Sequence, residues 1–244
     1  MPNPPETRID LRSSFASPEE FVRSVLDLSP QLAVFDCDGT LWPMDSGEGF
    51  MNWEIERGLL APEAASWIKA RYREYKEGRV GEERMCGEMV TIHKGLRRDD
   101  LEMAADRFVK ERVSRQFFPE MLTLVRQLGQ AGCEIWAVSS TNDWVVRAGV
   151  AQFGIAPERV LGACVHMEDG VATDRLDRVP SGPDKAVAVR EVIRRTPDAA
   201  FGNSIHDREL LECAQRQFAI NPNPDLKELA LSRAWKIYQP APLT

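Results

Sequence analysis

The chain has 244 residues, 43% of them hydrophobic and 28% charged, enough apolar material for one substantial core and a smaller satellite, which excludes a disordered chain, a fibre and a small disulfide scaffold. At roughly 150 residues per domain, the length allows one to two domains. With 31 Lys and Arg against 38 Asp and Glu the net charge is −7, which argues against nucleic acid or an anionic membrane as the main partner but leaves room for an anionic small molecule held by local donors and a metal.

The N-terminal stretch over 1–16 is Pro-rich and polar and is read as a lead-in. Ser17-Pro18-Glu19-Glu20 then combines an N-cap, a proline at the first helical position and a capping-box glutamate, predicting a helix to about Leu28. Leu32-Ala-Val-Phe35 is a short apolar run that suits a strand buried on both faces, ending at Asp36-Cys37-Asp38-Gly39-Thr40. From there to Pro119 the markers are helical. Ala61-Pro62-Glu63 opens one helix, Gly78 and Gly81 punctuate, and Arg97-Arg98-Asp99-Asp100 precedes another, too much for a loop. A helical module inserted after the first strand is expected.

Pro119 opens a helix with Leu122, Val125 and Leu128 on one face, ending near Gly129 to Gly132. Cys133 to Val138 reads as a second strand, stopping at Ser139-Ser140-Thr141-Asn142, and a helix from about Asp143 to Phe153 follows. A strand near Val160 leads into a hairpin around Asp169-Gly170. Ser181-Gly182-Pro183 starts a helix containing Lys185, and Ala199 to Phe201 and Phe218 to Ile220 are two more strands. Strands alternating with helices imply a mostly parallel sheet covered on both faces.

The five cysteines are odd in number and form no C-x-x-C pair, so neither a disulfide framework nor a zinc knuckle is expected. No apolar run approaches the roughly eighteen residues of a membrane span, and the start lacks the apolar stretch of a secretory signal, so a cytoplasmic location is expected.

Polar clusters fall where strands end or helices begin, the place where open α/β sheets bind ligands: Asp36/Asp38/Thr40, Ser139, Lys185 and Asn203/Asp207. Taken singly each has an ordinary explanation. Asp-x-Asp-Gly-Thr is a good turn, Ser139 a good N-cap, Lys185 a good surface charge, and Gly202 to Asp207 a good loop and cap. Two carboxylates two residues apart on a sharp turn also suit a nucleophile followed by an acid/base. The order and context of the four clusters together favour chemistry.

Phe35-Asp36-Cys37-Asp38-Gly39-Thr40-Leu41, Val138-Ser139, Lys185 and Gly202-Asn203-Ser204-Ile205-His206-Asp207 resemble motifs I to IV of the haloacid dehalogenase superfamily, over about residues 31 to 240. The helical insert after motif I resembles the cap of its phosphoserine-phosphatase-like branch. The resemblance implies an α/β fold with a Rossmann-like, three-layer parallel-sheet core (31–41 and 119–244), a small helical cap (42–118) and an N-terminal lead-in and helix (1–30). It also implies a Mg²⁺-dependent phosphatase for a small phosphorylated metabolite. Asp36 would attack phosphorus to give an aspartyl-phosphate, and Asp38 would act as acid and then base. Thr40, Ser139, Ser140 and Lys185 would bind the phosphoryl oxygens, and Asp36, Asp38 through its carbonyl, Asn203 and Asp207 would hold Mg²⁺. An acid at Asp38 favours phosphoryl transfer over dehalogenation, because a halide leaves without a proton.

Two departures from the family pattern bear on function. Motif IV usually begins Gly-Asp, and Asn203 in its place removes one negative charge, so weaker metal affinity is expected, with Asp207 supplying charge directly or through water. A phosphotransferase or phosphomutase, or a phosphate-ligand-binding protein without turnover, are the competing readings. In the cap, by ungapped comparison with phosphoserine phosphatases over 78–96, Met89 stands where a carboxylate-binding arginine is expected, which argues against phosphoserine as substrate. The segment from Leu41 to Glu54 brings aromatics and acids beside the site. Asp45, Glu48, Trp53 and Met89 are therefore candidate substrate contacts, for a substrate with a cationic head, with cap packing as the alternative for Trp42 and Trp53 and a surface position for Glu54. Trp67, Tyr72 and Tyr75 are expected to pack within the cap, and Cys37 to be buried and inert.

Overall fold

The structure is a computed structural model that describes residues 14–241, so the lead-in over 1–13 lies outside the described residues. Strand β1 (Leu32–Phe35) is buried at every residue, as its unbroken apolar run requires for a central strand. It pairs in parallel with β2 (Glu134–Asn142) on one side and β5 (Ala199–Gly202) on the other. Beyond them lie β3 (Val160–Glu168), β4 (Val171–Arg178), β6 (Arg216–Ile220) and β7 (Lys236–Tyr238). The seven-stranded order is β4-β3-β2-β1-β5-β6-β7, with β3–β4 antiparallel, as the Asp169-Gly170 turn predicts.

Alternation along β1 sends its side chains to two different cores. Ala33, Phe35 and Cys37 join the larger cluster, built with α1 (Pro18–Leu26), α6 (Pro119–Gln130) and α7 (Asp143–Ala151). Leu32 and Val34 join the other, under α8 (Pro183–Ala188), α9 (Arg208–Glu212) and α10 (Pro224–Ser232). Helices thus cover both faces of the sheet. In α6 the buried stripe is Met121, Leu124, Val125 and Leu128, with Leu122 only half-buried at its edge.

At the start of α1, Ser17 Oγ accepts from the Glu20 amide at 3.2 Å, while the Glu20 carboxylate reaches one residue past the expected cap and accepts from the Ala16 amide at 2.6 Å. Phe21 stacks on Tyr238 with centroids 4.1 Å apart, and the Ser14 amide donates to the Ile237 carbonyl, so this segment docks against β7. That edge strand is absent from the sequence expectation.

Four α-helices stand between β1 and α6: α2 (Ser46–Glu56), α3 (Pro62–Lys76), α4 (Glu82–Thr91) and α5 (Arg98–Phe108). They do not form an independent body. Phe50, Trp53, Val90, Leu101 and Phe108 belong to the large core, and only a satellite around Met51, Ile68, Tyr72, Met85 and Met89 is the insert's own. Backbone bonds from Gly95 and Arg98 to Ala172 and Gly170 also tie the insert to the β3–β4 hairpin. Among the described residues no helix is long and apolar enough to cross a membrane.

Candidate active site

The carboxyl ends of β1, β2 and β5 open into a cavity of about 280 Å³ whose far wall comes from α3 and α4. Asp36, Asp38, Ser139, Ser140, Lys185 and Asn203 all line it, so residues spread over most of the chain converge there.

At its base three charges are buried together. Lys185 Nζ, 3% exposed, donates to Asp36 Oδ1 at 2.7 Å and to Asp207 Oδ1 at 2.5 Å. Two carboxylates against one ammonium leave an excess negative charge with little water to screen it. Burial, with Asp207 beside it and only partly offset by Lys185, pushes the Asp36 carboxyl up to about 7. Burial alone would pull Lys185 down, but Asp207 and Asp36 outweigh it and hold the ammonium above the usual lysine range. Lys185 therefore stays charged.

Gly39 makes this corner possible. Its φ is +77°, and a Cβ there would lie 1.8 Å from the Asn203 side-chain nitrogen, so only glycine lets the motif I turn close on Asn203. Thr40 is fully buried and does not line the cavity. Its Oγ1 donates to Asp36 Oδ2 at 2.9 Å, so it positions the carboxylate and does not face a phosphoryl group.

Asp207 departs from its expected place in the same way. It is fully buried, its Oδ1 takes Lys185, and its Oδ2 accepts from the amides of Asn203 and Ser204 at 2.9 and 3.0 Å. It organises Lys185 and the motif IV turn from behind and leaves no edge to the cavity. Asp36, the Asp38 carbonyl and the Asn203 amide remain as hard oxygen donors, the kind Mg²⁺ prefers. Together with the uncompensated negative charge, this donor set fits a divalent cation, though with fewer ligands than expected from sequence.

The Asp38 carboxylate is fixed by four donors: Trp42 Nε1 (2.6 Å), Ser46 N (3.0 Å) and Ser46 Oγ (2.5 Å) to Oδ1, and Thr141 Oγ1 (2.8 Å) to Oδ2. Sequence reasoning assigns these residues no such role. Trp42 and Ser46 follow Asp38 at +4 and +8, a spacing that carries meaning only once the turn is known. Ser139 is 2% exposed, and its Oγ accepts from the Thr141 amide at 3.2 Å, leaving the hydroxyl hydrogen to donate into the cavity. Cys37 is buried, and burial pushes its thiol well above the usual range, consistent with an inert side chain.

The insert supplies a different lining from the one expected. Asp45 and Met89 face the cavity, but Glu48 and Trp53 do not line it. Glu48 pairs with Lys76 at 3.6 Å. Trp53 is buried, donates to Glu111 at 2.9 Å, and carries the Arg57 guanidinium 4.2 Å over its ring, so its cation is the chain's own. Glu54, expected at the surface, is 1% exposed and bonds both oxygens to His93 Nε2 at 3.0 Å. Tyr72, Tyr75, Glu82, Met85 and His206 line the cavity instead. Glu82 bridges the two sides, accepting from Ser181 at 3.0 Å and pairing with His206 at 2.7 Å, which raises the imidazole's pKa.

The chain belongs to the haloacid dehalogenase-like hydrolase family, whose model matches residues 33–212. It is similar to a histidinol-phosphatase of Neisseria meningitidis, 24% identical over 84% of this chain and 97% of that one. A shorter match, 28% identical over 44% of this chain and 36% of the other, is to a phosphoserine phosphatase of Mycobacterium tuberculosis. In fold it resembles a protein of unknown function from Bordetella pertussis Tohama I, with a TM-score of 0.75, 23% identity, and coverage of 84% of this chain and 96% of that one. Family membership and phosphatase-named relatives together support a hydrolase acting on phosphoric monoesters.

Proposed function

We propose that this chain is a Mg²⁺-dependent phosphatase that hydrolyses a small phosphomonoester through an aspartyl-phosphate. The observation that carries the reading is the convergence of Asp36, Asp38, Ser139 and Lys185 on one cavity, with Lys185 hydrogen-bonded to Asp36. One Asp36 carboxylate oxygen attacks phosphorus in line, forming the acyl-phosphate bond as the ester P–O bond breaks. Asp38 gives a proton to the departing alkoxide oxygen, then takes one from the water that attacks the same phosphorus and frees Asp36. Lys185 and the Ser139 hydroxyl hold the phosphoryl oxygens while their charge redistributes. Bound Mg²⁺, on Asp36, the Asp38 carbonyl and Asn203, would supply charge neutralisation between carboxylate and phosphoryl dianion. The walls from α3 and α4 narrow the site to small molecules.

The test is phosphate release from a panel of small phosphomonoesters, with Mg²⁺ and with chelator. Release is expected only with the metal. Release that persists undiminished in chelator overturns the metal requirement, and no release from any ester overturns hydrolysis in favour of ligand binding or transfer to another acceptor. Asn203→Asp restores a charged oxygen beside Asp36 and is expected to lower the Mg²⁺ concentration for half-maximal release by about tenfold. An unchanged metal titration would show that Asn203 takes no part in holding the ion.

A further inference from the structure

Resting on the phosphatase reading, we infer that Glu54 and His93 are positioning residues for Asp38: a buried pair, outside the cavity lining, that locks together the elements whose contacts aim the acid. Glu54 is 1% exposed and His93 0%. Placing a carboxyl and an imidazole among aromatic rings is costly unless their polar atoms are matched, and here the match is complete. The Val90 carbonyl, 3.0 Å from His93 Nδ1, can only accept, so Nδ1 carries a hydrogen. His93 Nε2 stands 3.0 Å from both Glu54 oxygens, so a second hydrogen closes the contact between ring and carboxyl. Bonded through both nitrogens, the ring has one orientation.

That ring sits where the elements that orient Asp38 meet. It stacks on Phe50 of α2 with centroids 6.1 Å apart, meets Trp144 of α7 in a T-shaped contact at 5.2 Å, and follows the end of α4 by two residues. Helix α2 opens with Ser46, whose amide and hydroxyl hold Asp38 Oδ1. Helix α7 begins directly after Asn142, whose side chain donates to the Met89 carbonyl of α4 at 3.4 Å. One residue earlier, Thr141 holds Asp38 Oδ2. The pair therefore governs the mutual placement of Ser46 and Thr141, the donors that grip opposite oxygens of the acid. A general acid has to meet the leaving oxygen within hydrogen-bond reach, and a misplacement of about 1 Å costs about 10²-fold in rate.

Two esters separate this role from general support of the fold. An alkoxide needs a proton as it leaves and p-nitrophenolate does not, so kcat/KM for phosphoryl transfer to Asp36 depends on the acid for an alkyl ester only. Glu54→Met keeps much of the volume and leaves His93 Nε2 without a partner. It is expected to lower kcat/KM about 10–100-fold for glycerol 2-phosphate and no more than about threefold for p-nitrophenyl phosphate. Glu54→Gln, whose amide donates to a neutral ring nitrogen, is expected to keep the alkyl-to-aryl ratio within about threefold of wild type. Combining Glu54→Met with His93→Phe replaces the pair by apolar groups that leave neither partner orphaned, so this variant should melt near wild type and still show the alkyl-selective loss. Equal losses for the two esters, or a folded double variant with the wild-type ratio, overturn the inference.

A readout without turnover keeps the two readings apart. Trp42 Nε1 donates to Asp38 Oδ1 at 2.6 Å, so its indole N–H resonance, identified by its loss in Trp42→Phe, reports the placement of the acid. That resonance is expected to move in the double variant and to hold its place in Glu54→Gln, while the indole of Trp136, bonded to Glu134 at 2.7 Å, stays unmoved in both as the reference. Absence of release from either ester by the wild type counts against the phosphatase reading alone. The resonance then decides the positioning role: a Trp42 signal that moves in the double variant supports it, and one that does not overturns it.

Discussion

Asp36→Asn abolishes phosphate release while making the metal-free protein more stable at neutral pH. On the proposed mechanism Asp36 is the nucleophile, and its loss removes the route to the covalent intermediate, so a fall of at least about 10³-fold in kcat is expected. The stability gain comes from the same charge cluster. An ordinary aspartate ionises near 3.8, whereas in the fold this carboxyl is pushed up to about 7 by burial and by Asp207, against the pull of Lys185. Between those values the folded chain holds a proton that the unfolded chain has released, so the group lowers wild-type stability increasingly as pH rises from about 4 to about 7. The amide of Asn has no such proton and can still accept from Lys185. Its advantage is therefore absent in acid and fully developed above about pH 7, on the order of 1–4 kcal/mol. Thermal melts of both proteins in chelator from about pH 4 to pH 8 check this, and added Mg²⁺ should stabilise the wild type preferentially and shrink the gap. A variant that still releases phosphate, or that is less stable than wild type above neutrality, contradicts the assignment.

The parts of this site that can be read from the sequence are those fixed by local chemistry. Leu32–Phe35 is apolar at every position and ends in Asp-x-Asp-Gly, so both the buried strand and the turn beyond it are visible. Ser139 near the end of β2, Lys185 in the first turn of α8 and Asn203 just past β5 follow in order. The parts that escape depend on which neighbour a side chain meets. Asp207 and Thr40 carry oxygens suited to metal or phosphate, but burial turns them toward Lys185 and Asp36. Tyr72 and Tyr75 follow helical spacing that fits packing and cavity lining equally well, and only the placement of α3 across the β1, β2 and β5 ends decides between them. Trp53 attracts a cation as its chemistry allows, but Arg57, four residues on along the helix, reaches it first. Strand β2 runs on through Asn142, past the expected stop at Ser139, because Asn142 rejoins the ladder opposite Ala163 after a register shift. Strand β7 has three residues and no turn signal of its own, so nothing marks it before β6 is in place to pair with it.

Lys185→Met is expected to destroy activity and stability together, with a pH dependence opposite to that of Asp36→Asn. Methionine keeps much of the side-chain volume, so the loss is one of charge more than of packing. Without the ammonium, Asp36 and Asp207 face each other buried and uncompensated, the situation in which removing one partner of a buried ion pair costs about 3–5 kcal/mol. The pair then retains a proton to a higher pH than in the wild type, because the one group that lowers the Asp36 value is gone. The deficit is smallest near pH 4, where the added proton neutralises the pair, and grows as pH rises through about 7 and beyond. Phosphate release should fall by about 10²–10³-fold even where the variant is folded, since the proposed mechanism sets this cation against the phosphoryl oxygens. Combining the two substitutions leaves Asp207 as the sole carboxylate, still held by the amides of Asn203 and Ser204. The double variant should recover part of the loss, with a coupling of about 1–3 kcal/mol. Additive stabilities would mean that Lys185 and Asp36 do not share their charge, and a Lys185→Met protein as stable as wild type at about pH 8 would remove the charge balance on which both expectations depend.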